Sequence, residues 1–174
     1  MKTLVKCNGL KYEAEKWNDD YDILDSTNCY VYALNIPKNP ETEEKWSEWT
    51  SVQPGNLGGN KLDPYKWQIK YDPEFINFFL NIINGDLKEL RLQIILSTFE
   101  EIIEEEEVWK IALAFSSSDY HWYRQNNDGT WSHKLGRNFV SNVDSDCNVI
   151  NNPEMCNRGS YNKFVGFFMI KKLI

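Results

Sequence analysis

A hairpin signal in the C-terminal half limits what this chain can fold into. Two short alternating segments, Tyr120–Gln125 and Thr130–Lys134, flank the turn sequence Asn126-Asn-Asp-Gly129. Asp-Gly between alternating segments is typical of a tight β-hairpin. Val108–Phe115 alternates in the same way, and the apolar run Phe164–Ile170 is typical of a buried strand. These segments predict an antiparallel sheet in the C-terminal half.

The N-terminal half favours helices. Asp25-Ser-Thr-Asn28 is a cluster of N-cap residues, and it precedes Cys29–Leu34, which we interpret as a short helix. The β-branched and aromatic residues of that segment also allow a strand. Residues 1–27 are otherwise expected to be irregular, with a short strand at Thr3–Lys6.

A longer helical pattern follows a turn-rich segment, 38–71. Asp72-Pro73 is a strong helix start, and apolar residues recur at helical spacing as far as Asn84. Gly85 is predicted to close this helix, and Asp86 to cap a second one from Leu87 to about Leu96.

Helices followed by strands predict an α+β fold. The N-terminal helices, one of them starting at Cys29, are expected to pack on a C-terminal antiparallel sheet. A length of 174 residues suits one catalytic-type domain over 1–174.

Charge and hydropathy exclude some partners. A formal net charge of -7 repels a phosphate backbone, so nucleic acid is not an expected partner. No apolar run approaches the roughly 20 residues of a membrane span, and no signal-peptide core is visible. We therefore expect a cytoplasmic protein, or one secreted as a mature or excised domain. The oligomeric state stays open.

The four cysteines form no Cys-x-x-Cys pair. Cys147 and Cys156 flank a short loop that can close as a disulfide in an oxidising compartment, whereas in a cytosol both thiols would stay free. The sequence leaves this choice open.

Cys29 is the candidate nucleophile. A thiol at a helix N-terminus faces unpaired N–H groups and the positive end of the helix dipole, and both favour the thiolate. The same N–H groups can stabilise an oxyanion. The alternative is that Cys29 is a small buried apolar residue.

The only two histidines, His121 and His133, lie on either side of the predicted turn. A three-residue loop would pair Asn126 with Thr130 and place Tyr123 opposite His133, so that both imidazoles share one face of the sheet. A two- or four-residue loop would put them on opposite faces. In the first case His133 can orient His121 as a general base; the alternative is that both are structural.

Further residues can complete such a site. Asn28 and Gln53 are candidate oxyanion donors, and Trp122 is a candidate for lining a substrate groove. Asp119 is a candidate orienting residue that is more simply explained as a turn residue. A zinc site made of Cys29, His121, His133 and a carboxylate has suitable ligand types, but the spacing does not select it. We therefore predict no metal and no cofactor.

A cysteine at a helix start, followed by His121 and a polar residue on adjacent strands, resembles the papain-like superfamily and within it the NlpC/P60-like hydrolases. The resemblance implies Cys29 as nucleophile, His121 as base and His133 as the orienting group. It implies a cysteine hydrolase or acyl-transfer enzyme that acts on a peptide or protein substrate. The chain departs from the NlpC/P60 pattern in having Tyr30 and Val31 after the cysteine.

The aromatic content supports another function. Aromatic residues make up 14% of the chain, with seven tryptophans. They are compatible with a Trp-rich core, and also with a non-catalytic module that binds a peptide or a glycan on an aromatic-lined surface.

Overall fold

The computed structural model describes residues 9–46, 52–60 and 71–173. The fold is α+β, as predicted. The described elements are α1 (Glu15–Asn18), α2 (Tyr21–Ser26), α3 (Cys29–Ala33), α4 (Pro73–Glu89), β1 (Leu92–Ser97), β2 (Val108–Phe115), β3 (Tyr120–Gln125), β4 (Trp131–Lys134), β5 (Val140–Ser141) and β6 (Lys163–Lys172). The predicted strand Thr3–Lys6 and the thiol of Cys7 lie outside the described residues. No helix in the described ranges combines the length and the apolar character needed to cross a membrane.

The six strands form one antiparallel sheet in the order β1-β6-β2-β3-β4-β5. The β3–β4 hairpin has the three-residue loop considered above. The backbone N–H of Asn126 donates to the carbonyl of Thr130 at 2.8 Å, Gly129 has φ 87°, and Tyr123 lies opposite His133. Of the loop lengths that the sequence left open, the three-residue loop is the one present, so both histidines share a face.

Both faces of the central strands are covered, since every residue of β2 and β3 is buried. Helices α3 and α4 cover one face, where Phe79 packs against Phe115 and Trp122. The segment 142–162 contributes to the cover of the other face, where Ile150 packs with Trp131. Alternation along β3 therefore assigns neighbouring side chains to different layers.

The prediction of two helices between 73 and 96 is wrong. Helix α4 continues through Gly85 to Glu89, and Leu92–Ser97 forms strand β1, which pairs with β6. Gly85 lies inside the helix, and the loop at Gly58 packs directly on it. A Cβ at Gly58 would lie 2.6 Å from the carbonyl carbon of Gly85.

Two short helices and strand β5 were not predicted. Residues 15–26, expected to be irregular, form α1 and α2, and the Asp20 side chain caps α2 by accepting from the N–H groups of Asp22 and Ile23. Asn28 caps α3, as the cluster of N-cap residues predicted. These helices are too short for a recognisable apolar period.

Asp86 does not cap a helix but binds a loop. Its buried carboxylate accepts hydrogen bonds from the backbone N–H groups of Gly55 (2.7 Å), Leu57 (2.9 Å) and Gly58 (2.7 Å). It also accepts from the hydroxyl of Tyr30 on α3 at 2.9 Å. One side chain thus joins α3, α4 and the loop 52–60.

We expect Asp86→Ala to lower the free energy of unfolding by about 3–5 kcal/mol, since it leaves several buried donors without an acceptor. Asp86→Asn should also destabilise, because an amide NH₂ would face N–H donors. Urea denaturation measures both effects. The control is Glu89→Gln, an exposed change at the end of the same helix. A loss for Asp86→Ala no larger than that of the control would contradict this role.

Candidate functional site

Cys29 is the first residue of α3, directly after its cap. The Asn28 side chain accepts from the N–H groups of Tyr30 and Val31, both at 3.0 Å. Cys29 is 6% exposed, and its thiol donates to the carbonyl of Tyr120 at 4.0 Å. Burial raises the pKa of this thiol to about 12, although hydrogen bonds from backbone N–H groups, chiefly that of Trp122, favour the thiolate. The group is therefore a neutral thiol near pH 7.

The two histidines form a hydrogen-bonded pair. Nε2 of His121 lies 2.7 Å from Nδ1 of His133, and Nε2 of His133 lies 3.0 Å from the carbonyl of Val143. Because a carbonyl only accepts, Nε2 of His133 carries the proton and its Nδ1 accepts from Nε2–H of His121. Both rings are then neutral. Burial lowers the pKa of each, and for His121 the nearby His133 lowers it further.

The structure brings the histidines together but does not join Cys29 to them. The side chain of Trp122 packs with Tyr30 and Phe79 on the helical face, whereas the neighbouring His121 packs against Tyr123 and Tyr161 on the other face. Within the described ranges, no hydrogen bond links the Cys29 thiol to either imidazole. The assignment of Cys29, His121 and His133 as a triad stays a prediction.

The candidate oxyanion and groove residues have defined partners. The Asn28 amide donates to the carbonyl of Val52 at 3.0 Å in addition to capping α3. The Gln53 side-chain carbonyl accepts from the hydroxyl of Tyr120, whose backbone carbonyl accepts from the Cys29 thiol. Trp122 is fully buried and lines no groove in this conformation.

The structure also bears on the two alternatives of a zinc site and a disulfide. Over residues 9–46, 52–60 and 71–173, no three His, Cys, Asp or Glu side chains are grouped so as to hold a metal ion. Cys147 is an exposed free thiol and Cys156 a half-buried one. Burial raises the pKa of Cys156 to about 11.

An open cleft lies where β2 ends, β3 begins and the chain enters β6. It has a volume of about 600 Å³. All the residues that line it carry polar groups, and most carry hydroxyls: Tyr71, Ser116, Ser117, Ser118, Asp119, Ser160, Tyr161, Asn162 and Lys163. Of these lining residues, Asp119 alone was a candidate site residue in the sequence analysis. The run of three serines was the available signal, but it does not show which distant segment completes the cleft.

The cleft and the histidine pair share one wall. The ring of Tyr161 stacks on His121 with centroids 4.7 Å apart, and its hydroxyl donates to the carboxylate of Asp119 at 2.8 Å. The buried imidazoles therefore support a tyrosine that faces the cleft.

Comparison with known proteins gives one similarity. The chain is 29% identical over 157 residues to a protein described as insoluble matrix shell protein 1, from Ruditapes philippinarum. The match covers 90% of this chain and 87% of that protein. No protein-family profile matches the sequence. No solved structure matches it.

Because the histidine pair is neutral in the folded protein, we expect the free energy of unfolding to decrease in mild acid. In the unfolded chain each imidazole takes a proton at its ordinary pKa of 6.5, whereas the folded pKa values lie lower. The stabilisation is therefore complete above that pH and decreases below it, by at most about 2 kcal/mol per histidine at roughly pH 5, the full amount applying to a ring that stays neutral there. Tyr123 and Tyr161 pack against the pair, and the exposed Asp144 lies near His133. Backbone N–H groups lower the pKa of the Asp144 carboxyl, so this group titrates only at more acidic pH, and its charge raises the pKa of His133.

Urea denaturation at neutral pH and at roughly pH 5 measures this effect. In His121→Gln the amide nitrogen can still donate to His133, but one proton-binding group is lost, so the pH dependence should fall by about half. Asp144→Asn is the control and should keep the dependence between these two pH values. An unchanged dependence in His121→Gln would show that the pair does not cause it.

Proposed function

We propose that this chain is a non-catalytic binding module that holds a hydroxyl-rich polymer, a glycan, in the cleft at the ends of β2 and β6. The observation that carries this proposal is the open cleft of about 600 Å³, whose lining residues mostly carry hydroxyls. Cys29 supports the non-catalytic part of the proposal, because its thiol is 6% exposed, donates to the carbonyl of Tyr120 and makes no hydrogen bond to either imidazole among the described residues.

The chemistry of the cleft fits a polar, uncharged ligand. Hydroxyls from Ser116–Ser118, Ser160 and Tyr161 act as donors and acceptors, as sugar hydroxyls do. The carboxylate of Asp119 and the ammonium of Lys163 have opposite charges, so the lining does not select a strongly charged partner. The open form of the cleft suits a segment of a long chain better than an enclosed small molecule.

The relative supports a matrix role. Its description places that protein in an insoluble shell matrix. We extend this to the present chain as a component that attaches to an extracellular matrix polymer, which corresponds to the secreted alternative for its location.

A cleft-filling variant tests the proposal. Ser117 is exposed, lines the cleft, and its side chain makes no hydrogen bond with the described residues, so Ser117→Phe should block the cleft without unfolding the protein. Retention on uncharged insoluble polysaccharides, cellulose and chitin among them, is the measurement. We expect the variant to bind at least about tenfold more weakly than the unmodified chain.

The matched control is Asn84→Phe, which adds the same ring at an exposed position of α4. It should bind as the unmodified chain does. Equal retention of the Ser117→Phe variant, or no retention of the unmodified chain on any uncharged polysaccharide, would refute glycan binding at this cleft.

A papain-like cysteine hydrolase is the second candidate. Three observations favour it: Cys29 follows a capped helix start, the two histidines are hydrogen-bonded, and Gln53 contacts Tyr120 beside the thiol. This function requires an imidazole to reach the thiol, through a rearrangement of the start of β3.

Thiol alkylation distinguishes the two candidates. For a binding module we expect iodoacetamide near pH 7 to label the exposed Cys147 first, Cys156 more slowly and Cys29 last, in the order of their exposure. Peptide mass spectrometry over time measures each site, and labelling in urea, where all the thiols are accessible, is the control. Labelling of Cys29 before Cys147 in the folded protein would favour the hydrolase.

A further inference from the structure

Strand β1 is an edge of the sheet, with β6 on one side and no strand from the described residues on the other. The N–H of Leu173 donates to the carbonyl of Arg91, so the odd-numbered residues of β1 bond to β6. The N–H and C=O groups of Leu92, Ile94 and Leu96 consequently point outward. Within the described part of the chain these outward groups have no hydrogen-bond partner.

The outer edge is apolar as well as unpaired. Leu96 is 76% exposed and Ile95 is 38% exposed. Between Arg91 and Glu100 the chain has no charged residue and no proline. Sheet edges usually carry such residues, which prevent pairing with another chain. An uncharged, apolar edge therefore indicates a strand that pairs with a strand of another chain.

We propose that β1 pairs antiparallel with β1 of a second copy of this chain, centred on Ile94, to form a continuous sheet across a two-fold axis. The outward groups suit this register, because Ile94 meets its own copy and Leu92 meets Leu96 in hydrogen-bonded pairs. Roughly six backbone hydrogen bonds form, two for each pair. The exposed Leu96 is then covered by Leu92 of the second copy.

The charged side chains at the ends of the proposed interface also fit this register. In this register Arg91 of one copy, the residue that precedes β1, comes opposite Ser97 of the other. The hydroxyl of Ser97 donates to the Glu101 carboxylate at 2.7 Å, which holds that charge beside Ser97. Arg91 is exposed and has no ion pair among the described residues, so each end of the interface brings one arginine to one glutamate.

The opposite edge does not offer such a surface. Strand β5 has only two residues, Val140 and Ser141, and the Asn18 side chain occupies both backbone groups of Val140. Pairing through β1 alone gives a closed pair of copies rather than an endless sheet.

A charge on the outer edge of β1 tests the pairing. The side chain of Leu96 is exposed, so Leu96→Lys should leave the monomer folded while placing two ammonium groups in the interface. Sedimentation equilibrium of the full chain is the measurement. We expect concentration-dependent dimers for the unmodified chain and a dissociation constant at least about tenfold higher for the variant. Met155→Lys, another exposed apolar position away from β1, is the control and should dimerise normally.

Two further variants test the register. In a chain whose Cys147 is replaced by serine, Ile94→Cys should form an intermolecular disulfide, because paired Cα atoms lie about 5.5 Å apart. Ile95→Cys, one residue away, should cross-link much more slowly. The single changes Arg91→Glu and Glu101→Arg should each weaken the dimer, and the double change should restore it.

A monomeric unmodified chain at every concentration up to roughly 100 μM would overturn the proposal, as would a Leu96→Lys variant that dimerises normally. Equal cross-linking at positions 94 and 95 would overturn the register. None of these variants touches the glycan cleft, so the two proposals succeed or fail separately.

Discussion

The carboxylate of Asp86 fixes the position of the helical layer on the sheet. It lies on α4, yet its partners are the hydroxyl of Tyr30 on α3 and three N–H groups of the loop 52–60. A buried carboxylate without such donors would be strongly unfavourable, so the loop must adopt the conformation that supplies them. The position of α3, and therefore of Cys29 against β3, follows from this requirement.

Three buried cationic side chains donate hydrogen bonds to backbone carbonyl groups, as Asp86 accepts them from backbone N–H groups. Lys110 donates to the carbonyls of residues 98, 99 and 101, and Lys134 to those of Leu24, Thr27 and Gly136. Arg124 donates to the Tyr32 carbonyl and stacks on its ring, with the guanidinium carbon 4.0 Å from the centroid. Burial lowers the pKa of Lys134 to about 8, but its three acceptors favour the charged form. Irregular segments can thus pack against the sheet, because strand side chains satisfy their backbone groups.

Turns and helix caps, which depend on neighbouring residues, could be predicted from the sequence, whereas contacts between distant segments could not. The Asn-Asp-Gly sequence predicted the hairpin from backbone preferences within a few residues, but it left the loop length open, and the observed three-residue loop is what places His121 and His133 on one face. Gly85 and Asp86 have the local chemistry of a helix end and a cap, but both serve the distant loop 52–60, so α4 continues through them. The cleft was missed for the same reason, since its two sides are more than forty residues apart in the chain. The cluster of N-cap residues placed Cys29 at a helix start correctly, but period-two alternation along β3 was not applied to the direction of His121.

The histidine pair has a structural consequence that does not depend on catalysis. The bond from His133 to the Val143 carbonyl holds the start of the segment 142–162, and the stacking of Tyr161 on His121 holds its end. That segment covers the second face of the sheet and supplies Ser160 and Tyr161 to the cleft. The two imidazoles therefore position the cleft wall from inside the protein, and this role requires them to be neutral and buried. A catalytic base would need the opposite properties, namely access to a thiol and a pKa close to the working pH.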